Sequence, residues 1–287
     1  MMNKLKALFC LLPLVSLPNL AQAKVTESSV PGGVKKVIIN SKTQPVVEYN
    51  DKRVAVIKEG ENYVAVIGIP LDTKPVTQTL WQQLPQKKAY AFKIKPKQYQ
   101  VQKLTIKNKR KVTPLEEDQQ RIEQEQADFD KTLAFWRDEP TPLAETFIAP
   151  IRGYITSTYG LKRVYNGIPK NPHTALDIAA PQGTPIKATA SGRIMNVHHR
   201  FYTGNTVIID HGQGIMSLYA HLNTIKVENG QWVKQGDVIG TVGKTGRVTG
   251  PHLHWAVYLN QTSVDPLLFI SRQDIKPLPQ KKSSNKK

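Results

Sequence analysis

Residues 204–222 read GNTVIIDHGQGIMSLYAHL, two apolar runs on either side of a glycine-containing turn. β-Branched residues favour strands, and glycines favour the turns between them. Short runs and glycine-containing turns of this kind continue through residues 147–269, without any alternation of strands and helices. The pattern predicts an antiparallel β-sheet or a flattened barrel for this part of the chain.

The region 24–112 is also rich in strand-forming residues, but it contains no recognisable chemistry. Residues 99–107 alternate between polar and apolar side chains, as a half-buried strand does. Other strand-forming runs are separated by turn formers and are Val37–Ile39, Val54–Ile57, Tyr63–Ile67 and Tyr90–Phe92. We therefore expect a small N-terminal β domain.

Residues 113–140 follow a helical pattern instead. Thr113 and Glu116 have the spacing of a capping box, with Pro114 at the first helical position. Apolar residues then recur at helical spacing, namely Leu115, Ile122, Phe129, Leu133 and Trp136. We expect a linking helix that ends near residues 138–140 and packs its thin apolar stripe on a flanking domain.

The first 23 residues have the pattern of a secretory signal peptide. Lys4 and Lys6 precede an apolar run from Ala7 to Leu20, and small residues follow at positions 21–23. The run has about 14 residues, which is short for a membrane span. We expect an exported, periplasmic protein with no transmembrane segment; secretion and association with the wall stay open as alternatives. Cys10, the only cysteine, would leave with the signal peptide, which excludes a thiol nucleophile.

These patterns predict a mainly β protein. Its expected parts are a signal peptide (1–23), an N-terminal β domain (24–112), a linking α-helix (113–140), a C-terminal antiparallel sheet or flattened barrel (141–270) and a basic tail (271–287).

The formal net charge is +18, and it is unevenly distributed. Residues 24–112 carry 18 Lys and Arg against 6 Asp and Glu, whereas residues 113–140 carry 3 against 9. A basic chain often binds nucleic acid, but for an exported chain the anionic polymers and carboxylates of the cell wall are the better partners. We expect peptidoglycan as the partner and no nucleic acid; the oligomeric state stays open.

All seven histidines lie between residues 173 and 254. His173 and Asp177 are an even number of residues apart, as are His252 and His254, so each pair shares one face if its segment is extended. Two imidazoles and a carboxylate suit Zn²⁺ and leave one coordination position open for water. Either spacing alone also occurs by chance, and a lone histidine is usually a surface residue.

Residues 147–270 resemble the lysostaphin-type zinc metallopeptidases that cleave peptidoglycan peptides. The segments that carry the likeness are Ser157–Arg163, His173–Asp177, Ile178–Ile186, Gly204–Gly212, Tyr219–Leu222, Gly236–Gly240 and Thr245–His254. Residues 24–136 are similar, much more weakly, to the N-terminal part of longer Gram-negative members.

The resemblance implies that one zinc ion is bound by His173, Asp177 and His254. It also implies that His221 and His252 are an unligated catalytic pair that orients or deprotonates water and stabilises the oxyanion. Ala175 stands where this family usually has glycine, and alanine would be strained there if the position requires a positive φ.

The remaining residues around these segments have less specific expectations. Arg163 and Tyr165 could line a substrate cleft. His198 and His199 are expected at the surface, and His211 in a structural role.

The function implied is that of a D,D-endopeptidase that hydrolyses peptide cross-links of peptidoglycan. Two alternatives stay open: a non-catalytic protein that binds the wall or activates another hydrolase, and a carbohydrate-binding or structural protein. The region before Pro140 either restrains the catalytic domain or grips the wall.

Overall fold

The computed structural model describes residues 25–107, 110, 112–138, 147–271 and 275–277. The predicted signal peptide and nearly all of the basic tail lie outside these residues. No helix among the described residues combines the length and the apolar character that a membrane span requires.

In the part of the chain that the structure describes, eight strands precede the helix. They are β1 (Val34–Ile39), β2 (Val46–Tyr49), β3 (Lys52–Arg53), β4 (Ala55–Glu59), β5 (Asn62–Gly68), β6 (Thr77–Leu84), β7 (Lys88–Lys93) and β8 (Val101–Leu104). Two small sheets form, in the orders β1-β5-β4 and β3-β2-β6-β7. The sequence analysis missed β2, β6 and the two-residue strand β3. In β6 only Leu80 and Gln82 are buried, so this strand has no apolar run to reveal it.

Alternate residues of β5 enter two different hydrophobic cores. Ala65 and Ile67 pack into the core of the N-terminal region. Val64 and Val66, which face the other way, belong to the main core that the C-terminal strands build. The sheet β1-β5-β4 therefore covers one side of the C-terminal core.

The helix α1 spans Glu116–Ala134, within the predicted range. It starts two residues later than the capping box indicated and ends before residues 138–140, where the sequence analysis placed its end. Leu115 precedes the first helical residue, and its N–H donates to Asp118 Oδ2 at 3.2 Å. Asp118 also accepts two hydrogen bonds from Arg110 at 2.7 Å. The prediction of Thr113 as the cap was wrong because this carboxylate caps the helix.

The C-terminal half of α1 packs on the large sheet. Phe129 and Leu133 contact a hydrophobic cluster that includes Leu218 and Tyr258. Leu115 is 50% exposed, so it does not belong to the packed stripe as the periodicity predicted.

Thirteen strands lie beyond the helix among the described residues. They are β9 (Tyr154–Ser157), β10 (Lys162–Tyr165), β11 (Ile168–Lys170), β12 (Leu176–Ala179), β13 (Pro185–Lys187), β14 (Gly192–Arg200), β15 (Gly204–Asp210), β16 (Met216–Ile225), β17 (Trp232–Val233), β18 (Val238–Val242), β19 (His252–Leu259), β20 (Thr262–Val264) and β21 (Lys276–Pro277).

Eleven of them form one sheet, with the order β17-β14-β15-β16-β19-β12-β9-β21 along its main path. Its pairings are antiparallel except for β21 beside β9. One face buries the main core and the other carries α1. The predicted mainly β fold with antiparallel sheets is confirmed.

Strand β8 lies apart from the N-terminal sheets. It pairs in parallel with β10, so that Leu104 lies opposite Tyr165. The alternation of residues 99–107 predicted a half-buried strand here but placed it in the N-terminal β domain. Its partner belongs to the C-terminal part of the chain.

A buried ion pair attaches the segment after α1 to the large sheet. Arg137 Nε donates to Asp210 Oδ2 at 2.7 Å, and the Asp210 side chain is completely buried. The guanidinium lies 4.8 Å from the ring centre of Trp232, and the Arg137 carbonyl accepts from the Gln213 N–H at 2.7 Å.

We predict that Arg137→Met lowers the free energy of unfolding by about 3 kcal/mol, because it leaves the Asp210 carboxylate buried without its countercharge. The double variant Arg137→Met/Asp210→Asn removes that charge and should recover part of the loss. Urea denaturation measures both. Equal losses in the single and double variants would contradict a role for the charge.

Candidate metal centre

Two neighbouring strands place three of the predicted side chains on one face of the large sheet. Asp177 of β12 lies directly opposite His254 of β19. Their sequence neighbours Ile178 and Leu253 point into the main core. Because side chains alternate along a strand, Asp177, His252 and His254 share the opposite face, and the even spacing of the two histidines predicted their part of this arrangement.

His173 joins them from outside the strand. The expectation that residues 173–179 are extended was only partly right, since β12 begins at Leu176. The His173 N–H donates to the Leu161 carbonyl at 2.8 Å, and its own carbonyl accepts from Gly160 at 2.7 Å. Ala175 has no positive φ, so the strain considered for this position does not arise.

The three donor atoms are close enough to hold one ion. Asp177 Oδ1 lies 3.0 Å from His173 Nε2 and 2.8 Å from His254 Nδ1, and the two nitrogens are 3.3 Å apart. A tetrahedron with metal bonds of about 2.0–2.1 Å has edges of about 3.3 Å. Two imidazoles and one carboxylate at these separations fit a zinc ion with an open fourth position.

Further contacts fix the orientation of these donors. His173 Nδ1 donates to the Thr158 carbonyl at 2.9 Å, which leaves Nε2 free to bind a metal. Arg163 Nη2 donates to Asp177 Oδ2 at 3.2 Å, on the oxygen that does not face the imidazoles.

The protonation of the donors also suits metal binding. Burial alone would raise the pKa of Asp177, but the hydrogen bonds from His173 and His254 hold this pKa well below its usual range. Burial lowers the pKa of His254 to about 4. The carboxylate is therefore charged and the imidazole of His254 neutral at pH 7.

His221 reaches the same face through an irregularity in β16. Asn205 pairs with Leu222 and Val207 pairs with Tyr219, so Ala220 and His221 together lie opposite Thr206. This β-bulge shifts the alternation by one residue, and His221 adopts φ of 64°. Its side chain consequently faces the donors instead of the core.

His221 and His252 have the same hydrogen-bonding arrangement. Nδ1 of His221 donates to the Thr245 carbonyl at 2.8 Å, and Nδ1 of His252 donates to the Gly250 carbonyl at 2.9 Å. Each ring therefore keeps its Nε2 lone pair for the cleft when it is neutral. The ring centroids are 4.8 Å apart. Burial, and then the charges of His254 and His252, lower the pKa of His221 well below its usual range.

Thr245 is a functional residue that the sequence analysis did not single out. Its carbonyl accepts the hydrogen bond from His221 Nδ1. Its hydroxyl accepts from the Asn205 N–H at 3.0 Å and donates to the Leu222 carbonyl at 2.9 Å. It thereby fixes both the His221 ring and the loop before β19. Thr245 begins the segment Thr245–His254, which carries part of the family resemblance, and this was the feature of the sequence that could have identified it.

The metal cleft is the recess of about 100 Å³ beside Asp177, His221, His252 and His254. Arg163 and Tyr165 line it, as expected, together with Tyr202 and Arg247. Leu104 and Ile106, from the segment that begins with β8, form another side. The N-terminal part of the chain thus contributes directly to the cleft.

The other three histidines lie outside the site. His198 and His199 are exposed, as predicted. His211 is buried and donates from Nδ1 to the Ser191 carbonyl at 2.8 Å, while Nε2 lies 2.7 Å from Ser217 Oγ. Burial lowers its pKa to about 4, so it is a neutral structural residue.

Two family models match the chain in separate regions. Residues 171–266 match peptidase family M23, and residues 27–97 match the peptidase family M23 N-terminal domain. A crystal structure from Pseudomonas aeruginosa that is assigned to peptidase M23 is 36% identical, with a TM-score of 0.71. That match covers 85% of this chain and 96% of the other.

Curated relatives match over a smaller part of the chain. The DD-carboxypeptidase/endopeptidase Mpg of Neisseria meningitidis is 47% identical over 95 residues, which cover 33% of this chain and 22% of the relative. The peptidoglycan DD-endopeptidase ShyB of Vibrio cholerae is 39% identical over 116 residues, covering 40% of this chain and 26% of the relative. The chain thus spans about a quarter of the length of these relatives.

We predict that the histidines divide into those that bind metal and those that do not. His254→Ala should weaken zinc binding at least about 100-fold, because two remaining ligands hold the ion poorly. His252→Ala should change zinc affinity less than about threefold, since His252 lies outside the donor set and its Nε2 is 3.9 Å from Asp177 Oδ1, further than the donor nitrogens of His173 and His254. Titration with zinc against a competing chelator measures both, with His199→Ala as the control. Tight, stoichiometric zinc binding by His254→Ala would refute this donor set.

Proposed function

The chain belongs to peptidase family M23, and from this we propose that it is a zinc-dependent endopeptidase that hydrolyses peptide cross-links of bacterial peptidoglycan as a D,D-endopeptidase. The observation that carries the proposal is the pairing of three metal donors, His173, Asp177 and His254, with two imidazoles whose Nε2 atoms face the same cleft. A structural metal site has its ion enclosed by protein ligands, whereas this one leaves room for water and substrate.

A bound zinc ion supplies Lewis acidity, which polarises the scissile carbonyl and lowers the pKa of water. The chain's own residues supply the proton transfers. A neutral imidazole of His221 or His252 accepts the proton of the attacking water at Nε2. The other ring donates a hydrogen bond to the oxyanion from Nε2, which it can do only when Nε2 is protonated, because its Nδ1–H is already bonded to a backbone carbonyl. The proton taken from the water passes to the leaving amine as the C–N bond breaks.

The non-catalytic alternative is less well supported. A protein that only binds the wall needs neither the full donor set nor two imidazoles held by backbone carbonyls with their Nε2 atoms towards one cleft. The named activities of the relatives from Neisseria meningitidis and Vibrio cholerae support a wall peptide as the substrate. Because peptidoglycan lies outside the cytoplasmic membrane, we also propose an exported, periplasmic location.

We predict that His252→Ala lowers hydrolysis of purified cross-linked muropeptide dimers by about 10²–10⁴-fold, because it removes a proton-transfer group. Mass spectrometry of the digest identifies the bond that is cut. Chelation should abolish the activity of the native chain, and added zinc should restore it. His198→Ala, at an exposed histidine, is the matched control.

The proposal fails if the zinc-loaded native chain leaves the dimers intact. Binding to sacculi in that case would support the non-catalytic alternative.

The segment beside β10 provides a second test, of what the N-terminal region does at the cleft. The Ile106 N–H donates to Asn166 Oδ1 at 2.9 Å, and Asn166 Nδ2 donates to the Ile106 carbonyl at 3.0 Å. Asn166 has a φ of 51°, which glycine also adopts without strain. Asn166→Gly therefore releases Ile106 without straining the turn.

If Ile106 forms part of the substrate site, Asn166→Gly should lower kcat/KM for soluble dimers severalfold, and we predict this outcome. Asn166→Asp, which keeps one of the two hydrogen bonds, should have a smaller effect. A higher kcat/KM in Asn166→Gly would instead support the alternative that the N-terminal region restrains the enzyme.

A further inference from the structure

A larger cavity of about 530 Å³ lies beside the metal cleft. Ile106, Arg247, Val248 and Thr249 line both spaces, so the two are adjacent along the loop before β19. A volume of this size is in the range of sites that bind small molecules or short peptides. A substrate whose scissile bond lies at the metal donors can therefore extend into this cavity.

The cavity is basic. Its described lining includes Lys107, Lys244 and Arg247, from two separate parts of the chain, and no Asp or Glu. In the metal cleft, the described lining contains a single carboxylate, Asp177, which belongs to the donor set. We call the larger space, with Lys107, Lys244 and Arg247, the basic cavity.

Arg247 is the cation of the three that lies beside two aromatic rings. Its guanidinium lies 4.3 Å from the ring centroid of Tyr202 and 5.2 Å from that of Tyr165. Its N–H donates to the Tyr202 carbonyl at 2.8 Å. Two aromatic neighbours limit the rotamers of the side chain, so less entropy is lost when it binds an anion.

The loop that carries Arg247 is itself fixed. Gly246 has φ of 78°, and a Cβ atom there would come within 2.5 Å of the Gly204 nitrogen and the Tyr202 carbonyl. Thr245, just before it, holds the His221 ring. The position of Arg247 is thus tied to that of the catalytic pair.

We infer that the basic cavity is a substrate subsite for a carboxylate-bearing stem peptide, with Arg247 as its specificity-determining residue and Lys107 and Lys244 as supporting charges. This inference rests on the proposed function. Stem peptides of peptidoglycan carry free carboxylates on both sides of the cross-link, and a guanidinium binds a carboxylate through two parallel hydrogen bonds. The flanking lysines, which are more exposed, add attraction that water and salt partly screen.

The test is binding of a stem tetrapeptide that cannot be cleaved as a cross-link. Calorimetric titration compares the free-acid form with a form in which every carboxylate is amidated, on the full zinc-loaded chain. The free acid should bind more tightly. Arg247→Gln should weaken its binding about tenfold and leave the amidated form unchanged, because only the charge-assisted hydrogen bonds are lost.

Three further variants sharpen the result. Arg247→Lys keeps the charge but loses the planar fork, and should be intermediate. The double variant Lys107→Gln/Lys244→Gln should weaken binding of the free acid by about two- to threefold. Lys187→Gln, at an exposed lysine outside both cavities, is the control and should behave as the native chain.

The outcomes separate the subsite from the proposed function. If the native chain prefers the free acid but cleaves no dimer, the proposed function fails and the subsite is retained. If it cleaves dimers and Arg247→Gln weakens both peptide forms equally or neither, the subsite is wrong and the function is retained. Zinc content measured on each variant excludes an indirect effect through the metal.

Discussion

The alternation of side chains along two adjacent strands is the constraint on which the rest of the site depends. Strands β12 and β19 bury Leu176, Ile178, Leu253 and Trp255 on one face. Burial of each such side chain contributes roughly 1.5–3 kcal/mol. A slip of one residue in either strand would exchange the core residues with the metal donors. The hydrophobic core therefore sets the register, and the register sets the separation of Asp177 and His254.

The N-terminal region shares this hydrophobic core with the C-terminal strands. Val64 and Val66 of β5 fill the side of the core that the large sheet leaves open. Two hydrogen bonds join the Gly68 backbone to the Asn260 side-chain amide, at 2.7 and 3.1 Å. Further along, β8 brings Ile106 to the cleft. The N-terminal part thus supports the sheet that holds the donors and also forms one side of the space in front of them.

The sequence was sufficient where local periodicity determines the structure. The even spacing of His252 and His254 predicted a shared face, because β19 is regular over these residues. The pairing of β12 with β19, which spacing does not reveal, brings Asp177 to that face. The sequence was insufficient where a contact between distant parts of the chain determines the local structure. His173 lies outside its strand, held by backbone bonds to residues 160 and 161. Asp118 and Arg110 moved the start of the helix away from Thr113. The alternation in residues 99–107 identified a strand but could not identify β10 as its partner.

His221 is the clearest case of a residue that periodicity could not place, and its backbone has a consequence of its own. A non-glycine residue at φ of 64° is strained by about 1–2 kcal/mol, although histidine is among the residue types that tolerate this region best. Glycine would adopt this φ without strain, so backbone conformation favours glycine at position 221, whereas the proposed proton transfer requires histidine. A lineage that no longer needed hydrolysis would gain stability by losing this imidazole. In a relative that has lost hydrolysis, we therefore expect glycine at position 221 while the three metal donors are still in place.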